Sequence, residues 1–121
     1  MNIFKLAETP EMSAKYHCDK HCHKMILESA QMLSTAARHF QPDSDVYKSA
    51  YANHPCTIWV RQSFRNAEWL VRLCRALDKE RKYRFGSQPH ASLRVAERAY
   101  SVLSDVVVSS PLHTHFPSIV L

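Results

Sequence analysis

The sequence predicts an all-α fold: a compact single-domain bundle of three main helices with short loops, spanning residues 1–121. Three observations point to it. The chain is long enough to bury a core of its own, and its balance of 45% hydrophobic to 22% charged residues is that of a globular protein. It contains one glycine, Gly86, whereas β-rich folds, phosphate-cradling loops and dinucleotide fingerprints need several. Apolar residues also recur at helical spacing over long stretches.

The first helix starts at Thr9-Pro10-Glu11. Thr9 can cap, Pro10 occupies the first turn at no hydrogen-bond cost, and Glu11 faces the positive helix end. The pattern runs to about Phe40, with room for a bend near Tyr16, and Pro42 with Asp43-Ser44-Asp45 marks the exit. A short helical turn is expected over residues 46–52. Asn53-His54-Pro55 opens the second long helix, which ends at Gly86, a natural left-handed residue after a helix. The third helix covers about residues 90–107, with Leu93, Ala96, Tyr100, Leu103 and Val107 as its apolar stripe. The C-terminal segment with Pro111 and Pro117 reads as extended.

Sixteen Lys and Arg against eleven Asp and Glu give a net charge of +5. This suits an anionic partner such as nucleic acid without requiring one. A secretory signal is not expected, because the apolar stretch at residues 1–6 is short and Lys5 interrupts it. No run reaches the roughly 18–20 apolar residues of a membrane span, so the expected location is cytoplasmic. Cys18, Cys22, Cys56 and Cys74 fall inside helical patterns and read as free or buried thiols of a reducing compartment.

On a helical wheel His17, His21, Lys24, Glu28, Gln31 and Thr35 share an arc of about 80°, with Lys20 beside it. Cys22, Met25, Ile26, Ala30, Leu33 and Ala37 collect on the opposite side as a core face. The polar seam has two readings. It is either the solvated face of an amphipathic helix, with Lys24 and Glu28 as an i,i+4 pair, or a functional surface. Two imidazoles, an ammonium, a carboxylate and an amide suit proton transfer and phosphate contact better than a plain solvated face. A metal site is not expected: the pairs His17/His21 and Cys18/Cys22 are turned about 100° apart and lack the spacing of a closed zinc site.

Along the second helix Arg61, Arg65, Arg72, Arg75 and Lys79 share a face with Glu68, and Arg81, Lys82 and Arg84 extend the positive field. The face is either solvated or phosphate-tracking. Trp59, Trp69, Tyr83 and Phe85 are suited to base stacking or to the core.

Two stretches resemble the bacteriophage pyrimidine-dimer DNA glycosylase/AP lyase family of the endonuclease V type, in its divergent environmental-phage branch. One is Asp19-Lys20-His21 followed by Glu28. The other runs from Asn53-His54-Pro55-Cys56-Thr57-Ile58-Trp59 through Leu70 and Glu80 to Arg84-Phe85-Gly86. The resemblance covers roughly residues 1–90 and implies a DNA-repair N-glycosylase/AP lyase without a cofactor. In the family, the α-amine of the mature N-terminus attacks the sugar C1′ and forms a Schiff base, while a helix-one glutamate assists base release and elimination. An α-amine titrates at about 7.7–8, so a usable fraction is neutral at physiological pH. Carried over, Glu28 takes the glutamate's role, His21 the histidine's, and Met1 or Asn2 supplies the amine, depending on removal of Met1. His17, Lys20, Lys24, Gln31, His54, Arg61 and Arg84 are the candidate substrate or phosphate contacts. If the source is viral, the location is the infected host cell.

The chain departs from that family in reading Met1-Asn2-Ile3 where a threonine and an arginine open the family's mature chain. Leu27 and Gln31 stand where the well-studied enzyme has arginines, and Pro117-Ser118-Ile119-Val120-Leu121 replaces an aromatic tail. These changes bear on lesion specificity more than on fold. Two alternatives stay open: an enzyme of the same fold acting on free nucleotides or nucleosides, and a non-catalytic binder of nucleic acid or nucleotide. The expected partner is DNA or a nucleotide, with no membrane, and exposed apolar helix ends are compatible with a homo-oligomer.

Overall fold

The computed structural model describes residues 1–109. The extended C-terminal segment expected around Pro111 and Pro117 lies outside them. Five helices follow in order: α1 (Pro10–Lys15), α2 (Asp19–Phe40), α3 (Pro55–Gln62), α4 (Phe64–Phe85) and α5 (Ala91–Ser109). The described residues contain no strand.

Helix α1 starts as its sequence requires. The Thr9 hydroxyl accepts from the Met12 N–H at 3.2 Å and Pro10 fills the first turn. The bend expected near Tyr16 is a full break. Arg84 donates to the carbonyls of Lys15 (3.0 Å) and His17 (2.8 Å), which an unbroken helix would have offered to N–H groups four residues on. Asp19 then sits in the first turn of α2, where the helix dipole favours a carboxylate.

The second long helix also divides, at Ser63. This residue is extended (φ −153°), and its hydroxyl accepts from the Asn66 N–H at 3.1 Å, so it ends α3 and caps α4. Gly86 ends α4 in the left-handed conformation (φ 64°), its N–H returning to the Lys82 carbonyl at 2.9 Å. The helical turn expected over residues 46–52 is absent. Arg38 takes two of its carbonyls, donating to Tyr47 at 2.7 Å and Val46 at 2.8 Å, and also donates to the carbonyl of Pro42 before it at 2.8 Å.

Helix α2 runs through the middle and packs against α3, α4 and α5, while α1 lies on α4. The anticipated core face of α2 is buried in full, from Cys22 and Met25 to Leu33 and Ala37. It meets Val60 of α3, Leu70, Val71, Cys74 and Leu77 of α4, and Ala96, Ala99 and Leu103 of α5. Each fully buried leucine or isoleucine contributes on the order of 1.5–3 kcal/mol. Burial also pushes the Cys74 thiol up to about 12, which leaves it a core hydrophobe and not a nucleophile.

Candidate active site at the amino end of the seam

The polar seam of α2 is not a wet face. The N-terminal segment lies across it, fastened by Ser13, whose hydroxyl accepts from the N–H groups of Leu6 and Ala7, both at 2.9 Å. Phe4 then stacks on the His21 ring (centroids 4.7 Å, 22° between planes) and meets His17 edge-on at 5.9 Å. The Met1 side chain, 2% exposed, packs against the core.

This burial brings the chain's amino end to Glu28. The Met1 nitrogen stands 3.3 Å from Oε1 of Glu28, and the Asn2 N–H donates to the same oxygen at 3.2 Å. The other oxygen lies 3.9 Å from Nζ of Lys24, whose side chain is exposed. Glu28 is itself buried, one turn beyond Lys24. A carboxylate held in this way beside an amine can exchange a proton with it, and can stabilise positive charge developing nearby.

His17 is also buried. Its Nδ1 lies 2.7 Å from the Ser13 carbonyl and therefore carries the hydrogen, and Nε2 is left without a hydrogen-bond partner. Burial depresses its pKa despite that hydrogen bond, with His21 and Arg84 adding smaller shifts the same way. The result is a neutral imidazole with a free lone pair beside His21.

The site residues anticipated from sequence thus fall into two groups. Met1, Asn2, His17, His21, Lys24 and Glu28 come together, with Gln31 half-buried one turn further and Lys20 exposed on the flank. His54, Arg61 and Arg84 stand elsewhere and hold backbone. His54 Nδ1 accepts from the Cys56 N–H at 3.1 Å as the cap of α3. Arg61 donates to the Ala52 carbonyl at 2.5 Å. Arg84, besides its two carbonyls, contacts Glu80 (3.0 Å) and Asp19 (3.2 Å). In the cationic stripe, Arg72 pairs with Glu11 through two bonds, and Arg75 pairs with Glu97 and lies over the Tyr100 ring.

Beside the amino end opens a mostly apolar cavity of about 480 Å³, lined by Ile3, Lys5, Trp59, Arg65, Asn66 and Trp69 among others. The two tryptophans meet edge to face at 6.4 Å. Asn66 donates from Nδ2 to the Trp59 carbonyl at 2.8 Å, and its buried Oδ1 has no partner. Ile3, Phe4 and Asn66 were not legible as site residues. The first two act through the path of the N-terminal segment, which has no periodicity to read. Asn66 sits on a helix position whose neighbours are unremarkable in sequence.

Among the described residues no group of three or more His, Cys, Asp or Glu is placed to hold a metal. No described helix is long and apolar enough to cross a membrane. A family model described as pyrimidine dimer DNA glycosylase matches residues 1–92, from the amino end to the start of α5. Comparison with curated proteins and with solved structures gave no match.

Proposed function

This chain belongs to the pyrimidine dimer DNA glycosylase family, and we propose that it is a DNA-repair N-glycosylase/AP lyase whose nucleophile is the α-amine at its amino end and whose acid–base group is Glu28. The observation that carries this reading is the approach of Met1 N and Asn2 N to one oxygen of a buried carboxylate, at 3.3 and 3.2 Å. Either processing state of the terminus therefore leaves a primary amine beside Glu28, so Asn2 in place of threonine does not displace the nucleophile.

The neutral amine attacks the sugar C1′, and the bond from C1′ to the base breaks with its electron pair leaving on the base. Glu28 takes a proton from the attacking nitrogen and stabilises the positive charge on the sugar. Glu28 then passes that proton to the ring oxygen O4′ as the C1′–O4′ bond breaks and the nitrogen lone pair forms the Schiff base, which leaves Glu28 a carboxylate again. The same carboxylate can then accept a proton from C2′ as the 3′ phosphate leaves. The apolar cavity next to Ile3 accommodates a nucleobase withdrawn from the stack, with Lys5 and Arg65 at hand for its phosphate.

Incubation with duplex DNA carrying an abasic site, in the presence of borohydride, is expected to trap a covalent complex. Glu28→Gln is expected to form it far more slowly. Absence of any trapped complex with the unsubstituted chain sinks the proposal.

The cavity, together with the internal pairing of Arg61, Arg72, Arg75 and Arg84, favours a second reading, an enzyme of the same fold acting on free nucleotides or nucleosides. Release of free base from a mononucleotide panel, without trapping on DNA, is the result that selects it.

A further inference from the structure

Glu28 has two cationic neighbours among the described residues, the α-amine and Lys24. The attack at C1′ uses the first and leaves the second without a task. Nζ of Lys24 stands 3.9 Å from Oε2 of Glu28, which is ion-pair range and too long for a hydrogen bond. Its side chain is 58% exposed and pairs with no other described carboxylate. The ammonium therefore keeps its donors for something outside the chain. Arg61, Arg72, Arg75 and Arg84 differ, since backbone or carboxylate oxygens already take theirs. Nor is helix stability a sufficient reason for Lys24, because a lysine placed four residues before a glutamate is the weaker order of that pair.

The α-amine meets one oxygen of Glu28 at 3.3 Å, and the ammonium meets the other. The carboxylate thus bridges an amine and a fixed cation. The sugar of an abasic nucleotide presents its reacting parts in the same order. C1′ goes to the amine, the neighbouring C2′ to the carboxylate, and C3′ with its phosphate to the ammonium.

We infer that Lys24 holds the departing 3′ phosphate in the elimination step, a role that rests on the lyase reading given above. Once the Schiff base joins the amine to C1′, Glu28 takes the C2′ proton. The electron pair of that C–H bond forms the C2′=C3′ double bond, and the C3′–O3′ bond breaks with its pair leaving on O3′. The phosphate changes from a singly charged diester to a monoester that gains a further negative charge. A cation placed here binds the leaving phosphate more strongly than the intact diester. It therefore speeds elimination more than it speeds formation of the Schiff base.

Single-turnover reactions on a duplex with an abasic site measure both steps: borohydride trapping reports the Schiff base, and strand cleavage reports elimination. The unsubstituted chain is compared with Lys24→Met and Lys24→Arg, with melting temperatures taken in parallel. In Lys24→Met the ratio of cleavage rate to trapping rate is expected to fall roughly 10- to 150-fold, the contribution of one hydrogen bond to a charged group. The trappable intermediate accumulates, and Lys24→Arg recovers most of the ratio. An unchanged ratio in Lys24→Met overturns the role of Lys24 and leaves the glycosylase reading standing. Loss of trapping in a normally melting Lys24→Met also overturns it, because Lys24 would then be the nucleophile. Trapping without strand cleavage by the unsubstituted chain removes the elimination role and keeps the attack by the amine. If the unsubstituted chain neither traps nor cleaves, both fall.

Discussion

Arg84 reaches the start of α2 and Glu28 stands further along the same helix, and their surroundings are built in opposite ways. The Arg84 guanidinium meets two carboxylates and two backbone carbonyls, all within 3.2 Å. The network closes the break between α1 and α2. Glu28, more deeply buried than Arg84, meets the chain's own amino end and the exposed tip of Lys24. Nearby, His17 keeps a buried nitrogen with no partner. Saturated polar networks fix geometry, whereas sparsely satisfied buried groups hold capacity for a reacting molecule. The i,i+4 pairs Lys24–Glu28 and Glu80–Arg84 therefore serve different ends, and their surroundings distinguish them.

Replacing Glu28 by Gln keeps the size of the side chain and removes its acid–base capacity. Formation of the trapped complex is expected to slow by about 10²–10⁴-fold, measured by single-turnover trapping, with little change in the melting curve. Arg84→Ala is the converse. It leaves the Lys15 and His17 carbonyls and the Glu80 carboxylate without their donor, and is expected to lower unfolding free energy by about 1–3 kcal/mol in urea titration. An unchanged midpoint would show that the break between α1 and α2 is held by something else.

Ser63→Ala removes the hydroxyl that caps α4 and is expected to cost about 1 kcal/mol with an unchanged denaturant slope. The acid side of the stability profile follows from His17, His39 and His90, whose pKa values are all lowered, chiefly by burial. Below about pH 6.5 the unfolded chain takes up protons that the folded chain resists, so the stability present above that pH is lost as pH falls. Melting temperature is expected to decline from pH 7 to pH 5, and His17→Leu to flatten the decline. The smallest effect belongs to Arg72→Ala. Its partner Glu11 is half exposed, so the loss stays below about 1 kcal/mol and shrinks with added salt.

Helix type and core were legible in the sequence because apolar periodicity reports burial directly. The stripe from Cys22 to Ala37, the start at Thr9-Pro10 and the stop at Gly86 all stand as local chemistry dictates. The two breaks were not fully legible. Ser63 reads as an ordinary helix residue until its hydroxyl is seen to cap, and the break after Lys15 depends on Arg84, 69 residues away. The irregular stretch after Phe40 likewise depends on Arg38 collecting carbonyls across the loop. At the site, helical spacing was enough to align His21, Lys24 and Glu28, whereas His17 joins them from the break before α2, outside the helix on which its spacing placed it. It carried no information on the path of the N-terminal segment, and so missed that Phe4 stacks on His21 and that Asn66 faces the cavity beside Ile3.

The most direct test of the pairing between amine and carboxylate is the identity of the atom that becomes attached to DNA. After borohydride trapping on an abasic duplex, protease digestion and mass spectrometry should place the sugar adduct on the first peptide of the chain, at the α-amine of Met1 or, once Met1 is removed, of Asn2. An adduct on the ε-amine of Lys24 or Lys20 would contradict that assignment.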